Sequence, residues 1–319
     1  MVNLENLTKA DIKKVKEIRV RYPDLSFAKL GERLADAGGL SILKSPGSLR
    51  KAIPKILEHE IHTQTSDWNL PEGKAETGEP YALYGKVIAI LNDIHIPFHD
   101  KNALTLALKE CERRNVDTIV LNGDALDCMG ASRFTKDPKY RSLAEELKIF
   151  RQFLDVLREK FPNQHIVYKL GNHEERVDKY IWDNAEALDG LFSFDSACEL
   201  TNRRIDLIKD KRLIVAGKLN ILHGHEMFAG AGMINVARQM RLKAGENICV
   251  GHFHKTQTDI TQTLRGKIQG AYAMGCLCNL RPLYMPYNQW NHGFGIVEMA
   301  EDGTFSFENL KIINGKVTQ

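Results

Sequence analysis

From Tyr81 onward, short aliphatic and β-branched runs alternate with stretches of helical period. Val87-Ile88-Ala89-Ile90-Leu91, Thr118-Ile119-Val120-Leu121 and His165-Ile166-Val167-Tyr168-Lys169-Leu170 predict strands, and amphipathic stretches over 102–115 and 142–160 predict helices between them. This is a βαβαβ pattern, so the fold class is α/β. Each run ends in polar residues: Asn92-Asp93, Asn122-Gly123-Asp124 and Gly171-Asn172-His173. In such sheets functional groups gather just past the carboxyl ends of the strands. Beyond 205 strands dominate, over 212–222, 247–251, 267–278, 294–299 and 304–312, with one helix over 229–242. These predict a second, largely antiparallel sheet packed against the first.

The front of the chain has a different pattern. Thr8 can cap a helix that starts near Lys9, with Asp11 in its first turn and Ile12, Val15 and Ile18 at helical spacing; Pro23 stops it. A second helix follows Ser26, with Phe27, Leu30 and Leu34 on one face, then a turn at Gly38-Gly39 and a third helix from Ser45 through Ile53. Three short helices with a turn before the last resemble a helix-turn-helix unit, in which the third would turn Ser48, Arg50 and Lys51 toward DNA. The alternative is a packing or oligomerisation appendage with a solvated basic face. Residues 62–80 are polar, carry Gly and Pro and hold no period, which predicts a linker between a helical module at 1–61 and a larger domain at 81–319.

Composition narrows the class without naming a partner. Of 319 residues 43% are hydrophobic and 27% charged, ordinary for a globular protein with ample core. Lys+Arg 44 against Asp+Glu 41 leaves +3, too balanced for a nucleic-acid or membrane argument from net charge. Residues 1–61, however, hold 12 Lys/Arg and 8 Asp/Glu, so the front segment carries +4 and the remainder −1. Six cysteines without CxxC spacing predict a reduced compartment, and with no leader-like amino terminus or long apolar run the expectation is a cytoplasmic protein with no membrane partner.

The chemistry lies in five short blocks: Asp93-x-His95, Gly123-Asp124-x-x-Asp127, Gly171-Asn172-His173-Glu174, His223-Gly224-His225 and Gly251-His252-Phe253-His254. Six of the 11 histidines fall in them. Imidazole, carboxylate and amide make a mixed N/O donor set that suits Mn²⁺, Fe²⁺, Zn²⁺ or Ni²⁺ and excludes a thiolate site. There are enough donors for two ions, and a carboxylate shared between ions can hold them ~3.5–4 Å apart.

In order, spacing and strand context, these blocks resemble the calcineurin-like metallophosphoesterase superfamily over roughly residues 85–300. The resemblance implies a four-layer αββα sandwich and two divalent metal ions, manganese first. It implies that Asp93, His95 and His254 bind the first ion, that Asp124 bridges, and that Asn172, His223 and His252 bind the second. His173 would be the catalytic acid or orient the leaving oxygen, with Asp127 holding its imidazole. The attack would be in line, by a metal-bridging hydroxide. His223 rather than His225 is taken as the ligand, and Glu174 as a residue that orients a ligand or caps the following helix.

Protein phosphatases of the superfamily follow the second block with a phosphate-gripping Arg, where this chain has Cys128-Met129-Gly130. That departure weakens a phosphoprotein substrate. Arg133 and Arg176 are the candidates to replace the contact. Both His252 and His254 are present, as in the phosphodiesterases and repair nucleases of the superfamily. With the basic front segment this implies a phosphodiesterase acting on nucleic acid, DNA ahead of RNA; the alternative is a phosphomonoesterase or small-nucleotide phosphatase. Cys276 and Cys278 read as core, His99 and Asp100 as loop-stabilising, and the aromatic stretch Tyr284, Tyr287, Trp290, His292 as a cover for the core rather than a stacking surface.

Overall fold

The computed structural model describes residues 7–66, 73, 78–133, 142–227 and 234–319. The chain divides into two compact units, Met1–Ala75 and Glu76–Gln319.

The first unit consists of α1 (Lys9–Arg21), α2 (Phe27–Asp36) and α3 (Pro46–Ser66). The Thr8 hydroxyl accepts from the Asp11 N–H, and the Asp11 carboxylate accepts from the Thr8 N–H at 2.9 Å, a reciprocal cap that fixes the start of α1. Leu49, Ala52, Ile53 and Ile56 are buried at i, i+3, i+4 and i+7 of α3, against Val15, Leu30, Leu34 and Leu40. That periodicity leaves Arg50, Lys51 and Lys55 exposed. Gly31 permits the close α2–α3 crossing, since a Cβ there would lie 2.8 Å from the Pro46 carbonyl oxygen. Residues 37–45 connect α2 to α3, longer than the three- or four-residue turn of a compact helix-turn-helix. The helix also runs on to Ser66, past the expected linker start at 62. Polar residues that lack Gly or Pro do not stop a helix already nucleated.

The second unit contains β1 (Tyr81–Ala82), β2 (Val87–Leu91), α4 (Lys101–Arg113), β3 (Thr118–Asn122), α5 (Leu143–Lys160), β4 (His165–Lys169), α6 (Glu175–Asn184), α7 (Phe194–Cys198), β5 (Ile205–Ile208), β6 (Ile214–Ala216), β7 (Leu219–Leu222), α8 (Val236–Ala244), β8 (Ile248–Val250), β9 (Gln257–Gln262), β10 (Ile268–Ala273), β11 (Gly293–Met299), β12 (Phe305–Ile313) and β13 (Lys316–Thr318). Two sheets form, ordered β13-β12-β11-β2-β3-β4-β5 and β1-β6-β7-β8-β10-β9. Side chains alternate across the first sheet, as the pleat requires. Ala89, Ile119 and Ile166 face α4 and α5, whereas Ile88, Val120 and Val167 pack against Ile214, Ile221 and Cys249 of the second sheet. Val236, Ala237 and Met240 of α8 cover that sheet's far side. The order of layers is therefore helices, sheet, sheet, helix: the four-layer αββα sandwich.

Two expectations change. The second sheet is mixed, with β1–β6, β7–β8 and β8–β10 parallel, because α8 carries the chain across between β7 and β8 and such a crossover makes parallel neighbours. The strands over 293–313 join the first sheet instead, β11 running antiparallel to β2. The helix expected over 229–242 spans Val236–Ala244; residues 228–233 lie outside the described residues.

Candidate metal centre

All five blocks emerge at one edge of the sandwich. β2, β3 and β4 are parallel neighbours in one sheet and β7 and β8 in the other, so their carboxyl ends meet. There the backbone is forced into an unusual shape. Asp93, His95, Asp124, His252 and His254 all have positive φ, between 50° and 65°. Left-handed backbone costs a residue with a Cβ roughly 1–2 kcal/mol, and such clusters persist where surrounding contacts over-determine them. Here the His95 N–H donates to the Asp124 carbonyl at 2.9 Å and the His252 N–H to Asp93 Oδ2 at 2.8 Å. Gly171 must lack a Cβ, which would fall inside the Asp124 carboxylate.

The side chains converge. His254 Nε2 lies 3.1 Å from Asp93 Oδ1 and 3.3 Å from His95 Nε2; His223 Nε2 lies 3.2 Å from Asp124 Oδ2 and 3.3 Å from Asn172 Oδ1. Asp93, His95 and Asp124 form one group of donor atoms and Asp124, His223 and His252 another, each within 4.8 Å, so Asp124 belongs to both. The expected ligands are thereby brought together. Their tautomers fit a cation. His95 Nδ1 is engaged by Asp127 Oδ1 at 3.0 Å and His223 Nδ1 donates to the Asn122 carbonyl at 2.8 Å, which turns both Nε2 lone pairs toward buried carboxylates. Lone pairs facing anions demand positive charge between them. The same demand appears in the proton affinities: burial lowers that of His223, but Asp124 and Asp93 outweigh it and hold the ring up to about 10. Burial raises Asp93, and His254 and His223 pull it down to about 2. This donor set accommodates two divalent ions.

The sequence model of the calcineurin-like phosphoesterase family matches residues 86–256, more than half of the chain. The chain belongs to this family. Among relatives, the Gene 54 protein of Mycobacterium phage L5 is 26% identical over 180 residues, 53% of this chain and 69% of the relative. That of Mycobacterium phage D29 is 23% identical over 228 residues, 66% and 88% of the two chains. Similar solved structures include Vps29 of Cryptosporidium parvum (12% identity, 74% and 96% covered, TM-score 0.40). They also include the phosphoesterase YfcE of E. coli (12%, 70% and 98%, 0.31) and a dimetal phosphatase of Danio rerio (11%, 70% and 95%, 0.33). As a calcineurin-like phosphoesterase the chain is a metal-dependent phosphoester hydrolase, and the family implies a dinuclear divalent centre.

In this phosphoesterase His173 stands beside these candidate donors. Its Nδ1 lies 2.9 Å from the Asp127 carbonyl and 3.2 Å from Asp127 Oδ1; its Nε2 lies 3.7 Å from Asp124 Oδ2 and accepts from Arg176 Nη2 at 2.6 Å. Asp127 thus serves two rings, His173 and His95. Burial lowers the proton affinity of His173, Asp124 and Asp127 raise it by more, and Arg176 opposes them. Arg176 reaches the site because it sits three residues beyond His173, one turn along the start of α6. Arg133 is exposed ahead of residues 134–141, which lie outside the described residues, and its role stays an expectation.

Glu174 is fully buried. It makes no side-chain cap for α6; Oε2 accepts from the Asp124 and Gly171 N–H groups and Oε1 from the Leu126 N–H and the Tyr168 hydroxyl, so it ties the second block to the third. Three features escape a reading of the sequence. Lys169, buried at the end of β4, pairs with Glu226 at 3.0 Å, and Glu226 accepts from the His223 and Gly224 N–H groups. His225 turns to Glu175 at 2.9 Å instead of to the ligands. The aromatic stretch divides: Trp290 and His292 are partly buried, Trp290 against the His254 ring, whereas Leu283, Tyr284 and Tyr287 are 88%, 61% and 96% exposed and cover no core. A lysine closing an otherwise apolar strand was the available signal for the first; the others depend on tertiary placement.

Proposed function

We propose that this phosphoesterase is a manganese-loaded phosphodiesterase that hydrolyses nucleic acid, DNA ahead of RNA. Asp93, His95 and His254 would hold one ion and Asn172, His223 and His252 the other, with Asp124 available to both. When bound, the ions supply a nucleophilic water at neutral pH and neutralise charge developing on the phosphoryl oxygens. The chain's own residues do the rest. Arg176 offers its guanidinium to a phosphate oxygen, and His173, kept in one tautomer by Asp127, positions or protonates the leaving oxygen.

The observation that carries the nucleic-acid reading is the outward face of α3. Arg50, Lys51 and Lys55 are exposed opposite the buried Leu49–Ile53–Ile56 stripe and have no ion pair among the described residues. Cations on a helix face without acidic partners suit a polyphosphate backbone. The test is cleavage of single-stranded and duplex DNA and RNA by the Mn²⁺-loaded full chain beside Arg50→Ala/Lys51→Ala/Lys55→Ala. Each lost phosphate contact should flatten the log–log salt dependence of binding by roughly 0.9. Cleavage of polynucleotides with a flattened slope in the triple variant is the expected result. Turnover of phosphomonoesters alone, with no salt-dependent affinity, makes the chain a small-molecule phosphatase instead.

A further inference from the structure

Between β10 and β11 the chain leaves the core at Asn279 and returns at Asn291, and that excursion is tied down on all sides. The Asn279 N–H donates to the Phe98 carbonyl at 2.8 Å, and the Asn291 N–H to the His254 carbonyl at 3.0 Å. Asn288 spans the loop, its amide donating to the Leu280 and Met285 carbonyls while Oδ1 accepts from the Trp290 N–H. A segment pinned this way holds its side chains in place. What it holds out is apolar: Leu283, Tyr284 and Tyr287. Large exposed apolar side chains grouped on one rigid element mark an interaction site rather than ordinary surface.

Their position says what they meet. Trp290 lies edge-on to the His254 imidazole, ring centroids 4.1 Å apart, and Tyr284 lies 6.3 Å from Trp290. A line of rings therefore leads from a metal-facing histidine to the surface. The covered part of the Tyr284 ring and the nearby Asp127 push its phenol up, with Arg176 opposing, so this largely exposed ring shares the field of the groups around His173 and stays neutral. Only Trp290 separates the Tyr284 ring from His254, so a flat ligand resting on Tyr284 lies next to the donor groups. A nucleobase one sugar away from a phosphoester is such a ligand.

We propose that Tyr284 and Tyr287, with Trp290 behind them, form a stacking platform for the nucleobase adjoining the hydrolysed phosphate. The proposal rests on the phosphodiesterase reading above and deepens it to nucleobase-bearing esters. Stacking on aromatic rings tolerates every base, because each has a π face.

The experiment compares two esters with one leaving group, thymidine 5′-(p-nitrophenyl) phosphate and methyl p-nitrophenyl phosphate, and two oligonucleotides, one normal and one with abasic tetrahydrofuran units. The protein is the Mn²⁺-loaded full chain, with Tyr284→Ala/Tyr287→Ala and Tyr284→Phe beside it. The wild type should prefer the base-bearing member of each pair by roughly 5- to 100-fold in kcat/KM. That ratio should collapse toward one in the alanine variant, mainly through KM, and persist in Tyr284→Phe. Quenching of a 2-aminopurine oligonucleotide by His173→Ala should be lost when both tyrosines are also replaced, which reads stacking without turnover. A wild-type ratio near one, a ratio unchanged by alanine, or absent quenching overturns the platform. So does a change of oligomeric state in the alanine variant with the ratio intact, which makes the patch a self-contact. Uncut polynucleotides with a base-dependent ratio on the small esters would sink the nuclease reading and leave the platform standing; polynucleotides cut without base dependence would do the reverse.

Discussion

At the residue scale the informative contact is the 2.6 Å approach of Arg176 to His173 Nε2. His173 Nε2 accepts from the guanidinium here and would carry the proton once Arg176 turns to a phosphate oxygen, so one residue acts on binding and on proton affinity. Removing the guanidinium takes away an interaction that lowers the proton affinity of His173 while Asp124 and Asp127 still raise it. An acid must be protonated to act, and a higher pKa keeps it so to higher pH. Arg176→Gln is therefore expected to move the alkaline limb of kcat/KM upward in pH, and to raise KM by roughly 10-fold, the scale of one charge-assisted hydrogen bond. His173→Ala should lower kcat by ~10²–10⁴-fold with metal content unchanged. A pH–rate profile and metal analysis of the two variants separate these effects; an alkaline limb that stays in place would show that Arg176 does not act through His173.

At the element scale, buried carboxylates join loops that the sheets merely bring near each other. Glu174 takes four donors, two on each oxygen, which only a carboxylate can do. Glu174→Gln turns an amide NH₂ against two of them, and the expected loss is ~2–4 kcal/mol in urea unfolding, together with weaker Mn²⁺ retention as the Asp124 and Gly171 loops loosen. Glu146, in the first turn of α5, behaves differently. Its Oε1 accepts from the Met129 N–H at 3.0 Å, its Oε2 is buried without a partner among the described residues, and burial with nearby Asp127 pushes it up to about 7. An unfolded glutamate ionises near 4.5, so between pH 4.5 and 7 the folded state holds the extra proton. Stability present at low pH is lost as pH rises through that window, by about 3 kcal/mol. Glu146→Gln should melt with the wild type at pH 4.5 and roughly 5–10 °C above it at pH 8; equal melting at both pH values would contradict the assignment. Neither carboxylate's partners could be read from the chain, where Glu174 and Glu146 look like ordinary helix-start acids. The interior strands were legible because β2, β3 and β4 are apolar runs buried on both faces. The edge strand β9, Gln257–Gln262, has no such pattern, being polar at every position but Ile260 and exposed on alternate residues, and β5 and β13 are too short to announce themselves.

At the scale of the whole molecule, the candidate metal centre is where donor side chains from the two sheets meet, joining them by chemistry as well as by packing. Asp93, Asp124 and Asn172 come from one sheet, and His223, His252 and His254 from the other. The motifs were legible because donors at strand ends need particular residue types whatever the surrounding packing, whereas the excursion over 279–291 could not be placed without the fold. A ligand held by both sheets and absent from the unfolded chain adds its binding energy to folding: about 2.7 kcal/mol at a hundred times its dissociation constant and ~4.1 at a thousand. For a unit of this size that is roughly 5–15 °C in melting temperature. Calorimetry with excess Mn²⁺ and again after chelation should therefore lower the transition that melts the sheets, and Asp124→Asn, which removes the carboxylate common to both donor groups, should leave that transition insensitive to Mn²⁺. The helical unit supplies the contrast, since its core of Val15, Leu30, Leu34, Leu49 and Ile53 contains no donor from the centre. A helix-dominated signal over residues 9–66 should not move with the metal. If chelation left the sheet transition where it was, the converging carboxylates and imidazoles would be paying their strain and desolvation for something other than ions that span both sheets.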